Sequence, residues 1–190
     1  MNIIDKFHNW RRKLRWNKQY RRGRWNNLKG DIEKVRYQTI IDLISEFAVE
    51  NPTVLDLGCG EGILCERMNT SQYAHFVGMD FSSVSIKSAQ QLNLPNSEFI
   101  CADIHSYTPQ QKFDVIVFNE VFYYIHDTEK QNVLNRMMDN LNENGIIITS
   151  IYREGLGCWN HFDDKMKQLK FTTITTQNEK TYWKIGVYKN

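Results

Sequence analysis

The stretch Val54-Leu55-Asp56-Leu57-Gly58-Cys59-Gly60-Glu61-Gly62 constrains this chain more than any other. A short apolar run closed by alternating glycines reads as a buried strand that turns sharply into a helix. Glycines at such a turn let a ligand approach the backbone, and the helix start offers unpaired N–H groups. Two ligand classes use that geometry. A dinucleotide takes G-x-G-x-x-G, with its pyrophosphate over the helix end. Here the glycines recur at every second residue, and Asp56 stands two residues before the first of them. A carboxylate in that place repels pyrophosphate and suits a ligand that carries an ammonium group.

The rest of the chain alternates strand and helix signals. Residues 31–48 place Ile40, Ile41, Ile44, Phe47 and Ala48 on one helical stripe. Further strands are expected at about 74–79, 98–101, 113–118 and 146–151, and near-continuous apolar runs such as Phe113–Phe118 belong in a parallel sheet. A helix over about 128–141 presents Val133, Leu134, Met137, Met138 and Leu141, and Asn144-Gly145 is expected to stop it. Two last strands, 171–175 and 182–188, are separated by a hairpin-length turn at 177–180. The expected fold is α/β: a Rossmann-like, doubly wound, mostly parallel seven-stranded sheet with one antiparallel strand in the C-terminal hairpin, plus an N-terminal helical extension.

The run D-x-G-x-G-x-G at Asp56–Gly62 resembles motif I of the class I S-adenosylmethionine (SAM)-dependent methyltransferases. Companion motifs follow in order. Asp80 ends the second expected strand, 20 residues after Gly60, with Phe81 behind it. Asp103 and Ile104 follow the third strand, Phe113–Asn119 forms the fourth, and Asn144-Gly145 precedes the fifth. The resemblance covers about residues 35–190 and implies SAM as cofactor. It implies that Asp56, Gly58, Cys59 and Gly60 surround the methionine part, Asp80 the ribose, Phe81, Asp103 and Ile104 the adenine, with Asn119 close by. A carboxylate in the position of Asp80 also suits NAD.

The stretch Glu120-Val121-Phe122-Tyr123-Tyr124-Ile125 resembles the corresponding part of the NodS-like methyltransferases, whose substrate class is the amino-sugar end of a chito-oligosaccharide. It lacks the N/D-P-P-Y/F signature of enzymes that methylate exocyclic base amines, which argues against a nucleic-acid acceptor. The implied acceptor is a small molecule, sugar or glycan, methylated on O or N. Because the electrophile comes with the cofactor, the protein chiefly aligns nucleophile, methyl carbon and sulfur. Candidate bases are Glu120, Tyr124 and His126, the last with an ordinary pKa of about 6.5. His126-Asp127-Thr128 reads equally well as a helix start. Tyr123, Arg153, Trp25 and His161 are candidates for acceptor contacts, with exposed-loop or packing roles as the alternative.

Residues 1–30 carry ten Lys/Arg against one acid, Asp5, although the whole chain sums to only +2. This basic aromatic arm is expected to cap the site of the 31–190 domain, with Trp16 and Tyr20 on the cofactor and its charges drawing an anionic acceptor to the entrance. An RNA-binding or RNA-modifying SAM protein that uses the arm, and an NAD(P)-dependent oxidoreductase, remain alternatives. The four cysteines, Cys59, Cys65, Cys101 and Cys158, form no C-x-x-C pair and no zinc-type spacing with histidine, so reduced, mostly buried thiols and no metal are expected. No apolar run approaches the roughly 18 residues that cross a bilayer, and no signal-peptide pattern opens the chain. A cytoplasmic protein without membrane insertion is expected.

Overall fold

A computed structural model describes residues 3–155, 157–177 and 179–190, with side chains from residue 10 onward. Asn178 of the expected hairpin turn and the Lys6 charge of the arm therefore lie outside the described residues. The strands are β1 (Thr53–Leu57), β2 (His75–Asp80), β3 (Ser97–Cys101), β4 (Phe113–Asn119), β5 (Leu141–Tyr152), β6 (Lys167–Thr175) and β7 (Tyr182–Lys189). The helices are α1 (Ile3–Arg21), α2 (Asp31–Phe47), α3 (Ile63–Arg67), α4 (Ser83–Gln90), α5 (Lys130–Asp139) and α6 (Trp159–Asp163).

The seven strands form one sheet in the order β3-β2-β1-β4-β5-β7-β6. Strands β1 to β5 pair in parallel, and β7 runs antiparallel to both β5 and β6. The expected fold class therefore holds, down to the single antiparallel strand. Parallel strands covered on both faces should be apolar throughout, since each side chain finds a core. Val115 and Val117 of β4 enter one core with α2, α3 and α4. Ile116 and Phe118 enter the other, with α5 and α6.

Two expected boundaries move. Asn144-Gly145 does not stop a helix. Helix α5 ends at Asp139, and β5 already begins at Leu141, opposite Phe113. The register then slips between Phe113 and Val115, and Asn144 takes φ 64° there. A turn signal inside a strand thus marks a bulge. Strand β6 starts at Lys167, four residues before the apolar run that betrays it. Its first half is polar because β6 is a sheet edge, where Lys167, Gln168 and Lys170 are tolerated. Cys59, Cys65 and Cys158 are buried free thiols, in line with mostly buried thiols, and Cys101 is exposed at the end of the opposite edge strand. Among the described residues no helix is long and apolar enough to cross a membrane.

Sheet order positions the site. The chain moves outward from β1 in one direction through β2 and β3, then returns to place β4 on the other side of β1. At such a switch point the loops leaving the two strands diverge and open a crevice at their C-terminal ends.

Candidate functional site

A cavity of about 400 Å³ occupies that crevice. Its floor is the glycine loop. Gly58 and Cys59 both donate backbone hydrogen bonds to the Met79 carbonyl, at 2.7 and 3.0 Å, which pins the loop to the end of β2. Gly58 and Gly60 take φ 74° and 56°, a left-handed backbone that costs little only without a Cβ. Space is also short. A Cβ on Gly58 would stand 2.6 Å from Val121 Cγ2, and one on Gly60 would stand 3.0 Å from the Tyr20 hydroxyl.

Three acids surround the floor. Asp56 is buried behind the lining, its Oδ1 has no hydrogen-bond partner, and burial pushes its pKa up to about 8. Asp80 lines the cavity, where its carboxylate accepts N–H bonds from Gly60 at 3.2 Å and Ser82 at 2.7 Å. Burial raises Asp80 to about 6, and these hydrogen bonds partly offset the rise. Asp103 lines the cavity with Ile104 and accepts the His105 N–H at 3.0 Å. His105 Nδ1 lies 2.7 Å from the same oxygen, and its Nε2 accepts the backbone N–H of His126 at 3.2 Å. These two contacts match one neutral tautomer, with the proton on Nδ1.

The arm forms the roof. Trp16 stacks on Trp25 at 4.7 Å between centroids and meets Tyr124 edge-on at 5.2 Å and Phe81 at 6.1 Å. Tyr20 lies against Trp16 and Trp25 at about the same spacing. Hydrogen bonds fasten this lid to the body. Arg12 donates to the Tyr124 carbonyl at 2.7 Å, and Ser82 donates to the Asn17 side chain at 2.7 Å. Of the arm's described basic side chains only Arg12 lines the cavity, so these charges do not ring the entrance as the sequence suggests. The wall instead holds Glu33, Glu61, Asp80, Asp103 and Glu120 against Arg12 and Arg36.

The remaining wall is built at the exit of β4. Glu120 takes φ 58°, a conformation rarely adopted by side-chain-bearing residues and most often kept where surroundings fix it. Here Glu120 accepts from the Tyr123 hydroxyl at 2.9 Å and the Ser150 hydroxyl at 3.1 Å. Burial raises its pKa to about 7, opposed by the Arg36 guanidinium and these two bonds. Arg36 is itself buried, pairs with Glu33 at 2.7 Å and donates to the Asn119 side-chain oxygen. Its guanidinium also lies over the Tyr37 ring at 4.5 Å.

The cavity thus gathers most residues singled out in the sequence: Gly58, Cys59, Gly60, Asp80, Phe81, Asp103, Ile104, Asn119, Glu120, Tyr123, Tyr124, Trp16, Tyr20 and Trp25. Asp56 stays buried behind this lining, and three others lie away from it. His126 is exposed, with Nδ1 2.9 Å from Thr128 Oγ1 in the turn that leads into α5. Arg153 is bound to the Lys180 carbonyl at 2.9 Å on the exposed side of the β5–β7 end. His161 packs edge-on against Phe122, at 5.8 Å. Glu33, Arg36, Tyr37, Tyr152 and Trp183 line the cavity without having been anticipated. A signal existed for one of them: Arg36 falls in phase with Ile40, Leu43 and Phe47, a cation on a buried helical stripe.

A family profile described as a methyltransferase domain matches residues 48–187. A malonyl-[acyl-carrier protein] O-methyltransferase of Bacillus cereus is 27% identical over 126 residues, 64% of this chain and 46% of that protein. A trans-aconitate 2-methyltransferase of Yersinia pestis is 34% identical over 103 residues, 53% of this chain and 40% of that protein. The chain thus spans less than half the length of these curated relatives. Among solved structures, the N-methyltransferase NodS of Bradyrhizobium japonicum in complex with S-adenosyl-L-homocysteine superposes with a TM-score of 0.75 at 19% identity, covering 87% of this chain and 91% of that one. Magnesium protoporphyrin IX methyltransferase of Synechocystis with bound SAM gives 0.74 at 16% identity, covering 93% and 95%.

Proposed function

Because the chain belongs to the methyltransferase-domain family, we propose that it binds SAM between the ends of β1 and β4 and methylates a nitrogen or oxygen of a small-molecule or sugar-type acceptor. The observation that carries this reading is the position of Glu120. Its carboxylate, raised to about 7, lines the same cavity as the glycine loop.

Bound SAM supplies an electrophilic methyl group, so the chain's own residues need only bind, orient and handle a proton. The Asp80 carboxylate keeps free lone pairs to accept from ribose hydroxyls. For the zwitterionic end of SAM, Arg36 is the buried cation in the wall that suits the carboxylate, and the unpartnered Asp56 Oδ1 is a buried acceptor behind the loop that suits the ammonium group. Such matched burial favours the ligand that completes it, since an unpartnered buried polar atom is costly. The buried, unpartnered Trp25 Nε1 is a second donor in the roof. Trp16 and Phe81 offer apolar surface for the adenine.

Glu120 is the proton acceptor. A base with a pKa near the working pH combines adequate ionisation with adequate strength. Tyr123 and Ser150 hold it in one orientation, which leaves its position independent of the acceptor. The aromatic lid excludes water from the reacting centre. The acidic wall supports a neutral or amine-bearing acceptor over a strongly anionic one.

The test is release of S-adenosylhomocysteine from SAM across a panel of amino sugars, short glycans and small organic acids. Turnover that Glu120→Gln abolishes, while cofactor binding persists, supports the assignment. Turnover unchanged by Glu120→Gln contradicts it.

A further inference from the structure

The lid helix has a second face. Its inward side, with Trp16, Asn17 and Tyr20, is committed to the cavity and to α4. The outward side carries Trp10, Arg11, Leu14, Arg15, Lys18, Arg21 and Arg22, every one of them exposed. At 3.6 residues per turn these positions fall within an arc of about 140°. The arc holds five cations, and no acid occurs in α1 beyond Asp5. Trp10 and Leu14, one turn apart along its edge, are 56% and 49% exposed.

We propose that this outward face of α1 docks the protein on an anionic lipid surface. Four observations carry the assignment. The charge on this face is of one sign, with five exposed cations and no acid among them, so it complements a negative plane better than a groove that surrounds its ligand. The opposite side of the helix is fastened to the body by Arg12 and Asn17, which leaves only one side open to a partner. An exposed tryptophan and leucine border the cations, the arrangement by which a helix lying on a bilayer seats its apolar edge at headgroup depth. The face is nevertheless too polar to insert, and no described helix is able to span a membrane. Attachment is therefore peripheral, mainly electrostatic and reversed by salt. Phosphate groups of nucleic acid share the anionic chemistry, but they would engage the cations without needing the apolar edge.

The test is co-sedimentation of the full chain, without cofactor, on vesicles of phosphatidylcholine alone or mixed equally with phosphatidylglycerol. The expected result is partitioning onto the mixed vesicles at least about tenfold above the neutral ones, lost on raising the salt. Replacing Arg11, Arg15, Lys18, Arg21 and Arg22 by Gln should lower that partitioning by at least about tenfold. Trp10→Ala with Leu14→Ala should weaken it further at fixed charge. Binding that ignores lipid charge, no binding to either vesicle, or unchanged binding by the glutamine variant overturns the proposal. So does a single-stranded RNA oligonucleotide that displaces the protein from vesicles while the Trp10/Leu14 variant binds as the parent does. An unchanged thermal midpoint and an unchanged response to S-adenosylhomocysteine show that the glutamine variant is folded. If it is not, Arg11→Gln with Arg15→Gln alone supplies the same comparison.

Discussion

The backbone N–H of Gly60 donates to the Asp80 carboxylate over 3.2 Å, tying the glycine loop after β1 to the last residue of β2. That contact holds a buried carboxylate beside a second one, Asp56; burial raises both, and the Asp80 charge raises Asp56 further. The pair sets the pH behaviour of the free protein.

Asp56 and Asp80 stand at about 8 and about 6 in the fold, against about 3.9 for an unfolded aspartate. Their raised values mean that the folded state binds more protons than the unfolded one between those limits. Stability is therefore fully present below about pH 4 on this account and is lost as pH rises through about 6 to 8. Asp56→Asn should raise the thermal midpoint of the free protein at pH 8, by the equivalent of about 1 to 3 kcal/mol. The same variant should bind S-adenosylhomocysteine more weakly. A lower midpoint at pH 8 would show that the charge is compensated.

Glu120 gives the prediction for turnover. Because its pKa is raised to about 7, the base form is lost as pH falls through 7, and the methylation rate should fall with it. Glu120→Gln should remove that inflection and lower the rate by about 10²-fold or more. Affinity for S-adenosylhomocysteine should stay within about threefold, since Tyr123 and Ser150 can still bond the amide. Rate-versus-pH profiles of both proteins check this directly.

Gly58 gives a test of the loop. A methyl group there meets Val121 Cγ2 at 2.6 Å and a backbone φ of 74° at once. Gly58→Ala should destabilise by about 1 to 3 kcal/mol, read as a drop in the urea midpoint. Gly157 has φ 77° but no atom within 4 Å of an added Cβ. Gly157→Ala should therefore cost only the backbone part, about 1 kcal/mol. Equal losses at both sites would mean that the Val121 contact yields freely.

Much of this was legible in the sequence because the determinants are local. A buried parallel strand needs an apolar run, and a tight turn at a crevice needs glycine, so β1, β4 and the loop announce themselves. Asp80 and Asp103 follow strand ends and inherit their position from them. The missing parts depend on tertiary placement. Arg36 falls on the buried stripe of α2, but its partner emerges only when α2 is laid against the end of β4, where Asn119 receives it. His126 looked suited to catalysis by chemistry alone, but the turn after Ile125 carries it to the surface. The charges of the arm were visible, yet their direction depends on which face of α1 Trp16 and Tyr20 hold down.

Thermal unfolding with S-adenosylhomocysteine and, separately, with NAD reads out directly which cofactor the crevice holds. Ligand at about 100 times its dissociation constant should stabilise by about 2.7 kcal/mol, and S-adenosylhomocysteine should produce that shift while NAD produces none. Arg36→Ala should reduce the shift relative to its own free protein, because the carboxylate anchor is gone. A clear shift with NAD and none with S-adenosylhomocysteine contradicts the assignment of the crevice.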